Sequence, residues 1–230
     1  MASIKRFIKA YKDYFTEGET GDAALLESQL YGFGTNPDLL KQLQGLTGYY
    51  PEIDLEQLRQ LPKGTLGYEY AQHMQGHGIQ PLVVSEDLRE EAKRNPFALR
   101  YTVTHDIFHI LLGFDTSYAG EAGVFGFTVG QNYTKTLNLT YPLIKLIFLL
   151  IKPWQAKAIL ASARRGKELG EQAACLLAYP FEEYWTRPIA DIRAELGLVP
   201  ANEQIERNRA MADGRSETIA QDLSKEGAVA

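Results

Sequence analysis

Cysteine is nearly absent from this sequence of 230 residues, which contains only Cys175. A single cysteine excludes a disulfide within the chain and fits a reducing compartment. Cys175 lies in the small apolar run AACLLAY, and we expect a buried thiol on a helix there rather than a nucleophile.

Positive charge and long apolar runs are also scarce. The sequence has 24 Lys and Arg against 29 Asp and Glu, a net charge of −5, which argues against a nucleic-acid partner because such proteins usually have a basic excess. The longest apolar stretch is the part of YPLIKLIFLLIKPW that lies between Pro142 and Pro153, and it contains Lys145. It is too short to span a bilayer. We expect it to form a core helix or, alternatively, one wall of a groove for an isoprenoid chain.

The N-terminal segment MASIKRFIKAYKDYF lacks the continuous apolar core and the cleavage site of a secretory signal. Large apolar residues recur in it at helical spacing, with basic residues between them. This pattern predicts an amphipathic helix over residues 1–20. Such a helix rests on an anionic membrane or packs on its own domain.

Helix start signals dominate the rest of the chain, and the composition is that of a globular protein. Only VFGFTVGQNYTKTLNLTY, residues 124–141, has enough β-branched and aromatic residues to form a strand instead of a helix. The sequence therefore predicts an all-α fold, with a single bundle-like helical domain over residues 1–198 and a mobile or marginally helical polar tail over residues 199–230. The expected N-caps are Asn36, Asp54 (with Gln57), Thr65 and Asn95.

The stretch THDIFHILLGFDTSYAGE, residues 104–121, places histidines and carboxylates among apolar residues. On a helix that ends near Gly113, His105 and His109 share one face, and Asp106 can converge on the same point. A second helix, capped by Asp115 or Thr116, would carry Glu121 in its first turns. An antiparallel pair of these helices would bring Glu121 back to the histidines.

Two imidazoles and two carboxylates around one point predict a divalent metal, because buried acids without partners are costly. Zinc fits this donor set best, and iron, manganese or magnesium are possible. A hydrogen-bonded network of histidines and carboxylates without metal is the alternative. The pattern also resembles the H-E-x-x-H of zinc proteases, but Asp106 is a poor replacement for their catalytic glutamate.

The same stretch resembles the H-D-x-x-H-x(11)-E signature of the Coq4 family of ubiquinone biosynthesis proteins. Two further segments are similar to that family in the same order: GTLGYEYAQHM, and YPFEEYWTRPIADIRAELGL near residue 198. The likeness covers residues 64–198. The chain departs from the family after the helix-ending glycine, where it has Phe-Asp-Thr-Ser in place of Met-Pro-Thr-Asn.

The resemblance implies an all-helical fold in which His105, Asp106, His109 and Glu121 bind a zinc-like metal. It implies a prenylated aromatic or isoprenoid lipid ligand, peripheral membrane attachment and association with other quinone-biosynthesis proteins. The family is linked to oxidative removal of the ring carboxylate at C1 of a polyprenyl hydroxybenzoate. The alternatives are a non-catalytic scaffold or lipid carrier with a structural metal, and a metal-dependent hydrolase.

The sequence also gives expectations for the cellular location and the oligomeric state of the protein. No long transit sequence rich in arginine and serine is visible, which favours a bacterial chain. We therefore expect a cytoplasmic homo-oligomer, peripheral on the inner face of a bacterial-type membrane.

An apolar tunnel for the isoprenoid tail is expected beside the metal. A glycine stripe at residues 120, 123, 126 and 130 either admits a neighbouring helix or leaves a slot for the ligand. His73 and His77 are expected at a helix end on the surface rather than in a second metal site. The residues assigned to the lipid are Phe108, Leu112, Gly123, Val124, Phe125, Leu146 and Arg164.

Overall fold

The computed structural model describes residues 25, 28–29, 32–46, 53–81 and 86–202. Within these ranges the secondary structure consists of α-helices and short 3-10 turns without a strand, which confirms the all-α prediction. Residues 124–141, whose composition also suited a strand, are mostly helical. The amphipathic helix expected over residues 1–20, and almost all of the tail expected over residues 199–230, lie outside the described residues.

Nine helices occur in the described part of the chain, and their starts follow the sequence signals. Asn36, Asp54, Thr65 and Asn95 each accept a backbone hydrogen bond as N-cap, as predicted. The helices are α1 (Pro37–Leu43), α2 (Leu55–Arg59), α3 (Leu66–His77), α4 (Glu86–Arg94), α5 (Pro96–Leu112), α6 (Tyr118–Gly130), α7 (Lys135–Ile151), α8 (Ala156–Gln172) and α9 (Ile189–Leu196).

Helix α5 lies at the centre of the described structure. Twelve of its 17 residues are buried, and it contacts α1, α3, α4 and α6. Its buried Arg100 donates to the backbone oxygens of Leu177 and Tyr179 and pairs with the carboxylate of Glu182. Because an unpaired buried charge is costly, these partners fix α5 against the loop before α9.

Helices α6 and α8 pack backbone to backbone through glycines. A Cβ on Gly166 would lie 1.8 Å from the backbone oxygen of Gly123, and a Cβ on Gly126 would lie 2.3 Å from that of Ala163. Only glycine permits such an approach. The stripe on α6 therefore admits α8, and its interpretation as an empty slot for a ligand is wrong.

Helix α7 departs from the expectation of a core helix. Leu137 is the only fully buried residue of this helix, and its large apolar side chains include Leu139 at 82% and Leu150 at 72% exposure. A high density of apolar residues does not by itself bury a helix, because burial requires partner helices on every side. Over the described residues, no helix combines the length and hydrophobicity that a membrane crossing needs.

Cys175 is half-buried, and it lies in the irregular segment after α8 rather than on a helix. The expected helical position is therefore wrong, because α8 ends at Gln172. Burial raises the pKa of the Cys175 thiol above its usual value, which disfavours the thiolate needed for nucleophilic chemistry.

Candidate metal centre

Local sequence signals position the histidines and the glutamate on two consecutive helices. His105 and His109 lie one turn apart on α5, which ends at Gly113 with a left-handed φ of 70°. The cap of α6 is Ser117, not Asp115 or Thr116 as expected, and its side chain accepts from the backbone N–H of Gly120. Asp115 instead accepts from the backbone and hydroxyl of Ser117.

Glu121 lies in the first turn of α6, beside both histidines. Its Oε1 lies 3.3 Å from Nε2 of His109, and its Oε2 lies 3.7 Å from Nε2 of His105. One ligand atom from each of the three residues lies within 4.8 Å of the other two. Two imidazole nitrogens and one carboxylate form a donor set suited to a divalent metal.

The hydrogen bonding of His109 leaves one ring nitrogen for a cation. Its Nδ1 lies 3.2 Å from the backbone oxygen of Phe114, and because a carbonyl only accepts, Nδ1 carries the proton. The buried Nε2 makes no hydrogen bond, although it faces the carboxylate of Glu121. Two acceptor atoms at this distance require a proton or a metal between them, and a hydrogen bond to the second nitrogen is typical of metal-binding histidines.

Asp106 lies at the edge of this group. Its Oδ1 lies 4.0 Å from Nδ1 of His105, and the aspartate is not one of the three residues whose ligand atoms converge. Burial raises the pKa of Asp106, but its interactions with His105, His109 and His73 lower it overall. The carboxylate is thus held in its charged form, and its role as a fourth ligand stays a prediction.

His73 belongs to the site, although the sequence placed it on the surface. Its ring, on α3, lies 6.0 Å from the ring of His109 between centroids, with an interplanar angle of 20°. Its Nε2 is buried without a hydrogen bond. Burial lowers the pKa of His73; Asp106 opposes this shift, and the other three histidines reinforce it. The surface expectation is wrong for His73 and right for His77, which is exposed.

No sequence signal identified His73, because its proximity comes from the packing of α3 on α5. The i, i+4 spacing of His73 and His77 is that of many exposed pairs. Only the contact between the two helices shows that the four histidines of the chain form a row of neighbouring rings, with centroid distances of 4.6, 6.0 and 5.0 Å.

An open cleft of about 850 Å³ borders the group at His109. Its walls come from α3, the C-terminal end of α5, the start of α6, and parts of α8 and α9. They include charged side chains (Glu69 and Arg193) and apolar ones (Phe114 and Ile189). Such a mixed cleft beside a candidate metal group can hold an organic ligand with a polar head.

Arg193 fixes the end of α5 next to the site. Its Nε donates to the backbone oxygen of Leu111, and its Nη2 donates to that of Ile110. These bonds satisfy two of the carbonyls that a helix leaves without partners at its C-terminus. The guanidinium of α9 therefore supports the helix that carries both histidines.

The residues assigned to the lipid do not lie in one place. Phe108, Leu112 and Val124 are fully buried in the core. Leu146 and Arg164 are exposed on α7 and α8. The described cleft is lined by other residues, so the lipid assignment, including the packed Gly123 and the half-buried Phe125, stays a prediction.

A family model described as Coenzyme Q (ubiquinone) biosynthesis protein Coq4 matches residues 49–202. The chain is 28% identical over 203 residues to the ubiquinone biosynthesis protein COQ4 homolog, mitochondrial, of Xenopus tropicalis, covering 81% of this chain and 66% of that one. It is 26% identical over 164 residues to the Rattus norvegicus protein of the same name, covering 67% and 58%. The match thus spans 58–66% of the length of these relatives.

A solved structure from Nostoc punctiforme, named as a candidate ubiquinone biosynthesis protein, has a similar fold. The TM-score is 0.59 at 25% sequence identity, and the alignment covers 84% of this chain and 97% of that chain. Because the alignment covers 84% of this chain, it includes residues both before and after the segment 105–121 that carries the candidate metal group.

Proposed function

Because the chain belongs to the Coq4 family, we propose that it takes part in ubiquinone biosynthesis as a metal-binding protein that holds a prenylated aromatic. The observation that carries this proposal is the convergence of His105, His109 and Glu121 beside an open cleft. The resemblance of residues 105–121 to the H-D-x-x-H-x(11)-E signature of the family points to the same residues as metal ligands.

The proposed ligands are the Nε2 atoms of His105 and His109 and the carboxylate of Glu121, with Asp106 as the fourth. Zinc suits two imidazoles and two carboxylates best. A bound divalent metal supplies Lewis acidity toward an oxygen of a phenol or carboxylate. Two carboxylates would balance its charge, which suits a half-buried site in the wall of a mixed cleft.

The side chains around the cleft provide the rest of the binding site. The buried Nε2 of His73 and the carboxylate of Glu69 offer polar contacts to a ring substituent. Phe114 and Ile189 offer apolar surface. Packing of the ligand's aromatic ring against these side chains would exclude water from the polar head of the ligand.

The activity proposed for this site is oxidative removal of the C1 carboxylate of a polyprenyl hydroxybenzoate: the carboxylate leaves as CO₂ and a hydroxyl takes its place, with O₂ as oxidant and an external two-electron donor that reduces its second oxygen to water. Other quinone-biosynthesis proteins are the proposed partners, and a homo-oligomer is the proposed assembly. A scaffold or lipid carrier with a structural metal is the second candidate. The convergence of three ligands beside an open cleft favours a site that binds a ligand, whereas closure of the site by Asp106 as a fourth protein ligand would favour a structural zinc.

Binding of a tail-length series tests the proposal. Each buried CH₂ contributes about 0.8 kcal/mol, so the affinity for prenyl hydroxybenzoates should rise steeply with the number of isoprene units. Calorimetry or native mass spectrometry measures it, with hydroxybenzoate without a tail as the control. An affinity that is independent of tail length would contradict a lipid ligand and favour the scaffold.

A further inference from the structure

Phe114, which follows the C-cap of α5, contacts both of the helices that carry the candidate metal group. Its backbone oxygen lies 3.2 Å from Nδ1 of His109 on α5. Its side chain is only 8% exposed and forms part of the cleft wall. The proposed function uses this side chain only as apolar surface, but the contacts of Phe114 with α6 give the residue a second role.

The turn that contains Phe114 packs against α6 at two glycines. A Cβ on Gly123 would lie 2.6 Å from Cε1 of the Phe114 ring, and a Cβ on Gly120 would lie 1.8 Å from the backbone oxygen of Asp115. Both distances are far shorter than van der Waals contact, so only glycine admits the turn at these positions. Glu121 lies between the two glycines in the sequence, and the packing of the turn therefore fixes the backbone that carries its carboxylate.

The backbone of the same residue sets the tautomer of His109. Because the carbonyl of Phe114 only accepts a hydrogen bond, it keeps the proton of His109 on Nδ1. The lone pair of Nε2 is then directed toward the carboxylate of Glu121, 3.3 Å away. The ring and the carbonyl belong to one residue, so a movement of the ring away from α6 would also displace the carbonyl from His109.

We propose that Phe114 is a positioning residue of the candidate metal group. Its ring fixes α6 and thereby Glu121, and its carbonyl fixes the ring of His109, so that the two side chains face each other across the position of a shared metal. Phe114 acts through these two residues and is not itself a ligand. The inference rests on the proposed function for the metal, whereas the orientation of His109 can be measured without any metal.

Nuclear magnetic resonance of the histidine ring nitrogens tests the orientation of His109 in the metal-free full chain at mildly alkaline pH. The unmodified chain should show the Nδ1–H tautomer of His109. Phe114→Ala should shift His109 toward the Nε2–H tautomer, because the hydrogen bond to the other nitrogen sets the tautomer. Phe114→Met should keep Nδ1–H, since a methionine side chain can fill the same space against α6.

Zinc titration followed by calorimetry tests the effect on the metal. Phe114→Ala should lower the zinc affinity about tenfold, as substitutions behind a metal ligand commonly do, and Phe114→Met should restore it. Gly123→Ala should also lower the affinity, because its Cβ displaces the Phe114 ring, but it should add little in the Phe114→Ala chain. The matched control is Phe148→Ala, which removes a half-buried ring that packs on Tyr118 of α6 and should change neither the affinity nor the tautomer.

A tautomer and a zinc affinity that both survive Phe114→Ala would overturn the inference. Additive losses from Phe114→Ala and Gly123→Ala would also overturn it, because they would show two independent structural defects; circular dichroism checks that each variant is folded. A chain in which the tautomer of His109 depends on Phe114, but which binds no zinc, would support the positioning of His109 and contradict the metal site of the proposed function.

Discussion

Among single residues, His73 makes the least expected contribution to the site. Its ring packs against that of His109, the proposed metal ligand whose Nε2 is buried without a hydrogen bond. A neighbouring ring that limits rotation of a ligand should raise metal affinity, because outer residues that orient a ligand commonly change affinity by about 10–100-fold.

We therefore predict that His73→Ala lowers the affinity for zinc by about tenfold, whereas His73→Phe, which keeps a planar ring, lowers it much less. Competition with a chromogenic chelator measures both. An equal loss in the two variants would contradict a packing role and would indicate that the ring nitrogen itself is needed.

The sequence could predict the residues of the site that depend on local geometry. His105 and His109 share a face because they are four residues apart on one helix, and Glu121 returns because a glycine and a capped turn separate the two helices. His73 and the support from Arg193 could not be predicted, since they depend on how α3 and α9 pack on α5.

For whole helices, the ends depend on adjacent residues and could be predicted, whereas burial depends on distant parts of the chain and could not. Asn95 and Gly113 bound α5 as the sequence indicates, because caps act through the backbone of adjacent residues. The exposure of α7 was not predictable from its composition. An apolar helix is buried only where other elements cover it, and the sequence of α7 alone does not contain that information.

The close contact of α6 and α8 gives a prediction about an element pair. Gly166→Ala should destabilise the fold by about 3 kcal/mol or more, because the new Cβ would lie 1.8 Å from the backbone oxygen of Gly123. Urea unfolding measures the change.

The matched control is Gly76→Ala on α3, where a Cβ meets no atom within 4 Å. Alanine there should stabilise the helix by about 0.5–1 kcal/mol. Similar effects of the two substitutions would show that α6 and α8 are not held at this distance.

Over the whole molecule, the family match and the fold point to the same architecture. The chain matches the family model over residues 49–202, and the Nostoc punctiforme structure has a fold similar to this all-helical arrangement. The unity of the domain over residues 1–198 stays a prediction, because the first part of that range lies outside the described residues. The geometry that supports a metal rests on α5 and α6, both of which are described completely.

The central claim is that His105, His109 and Glu121 bind one divalent metal, and elemental analysis of the purified full chain after a chelator challenge tests it most directly. The unmodified chain and the His77→Ala control, altered at an exposed histidine, should each retain one metal ion per chain. His109→Ala should retain none, because it removes the ligand whose Nε2 faces Glu121. Equal metal retention by the His109→Ala variant and the unmodified chain would contradict the assignment.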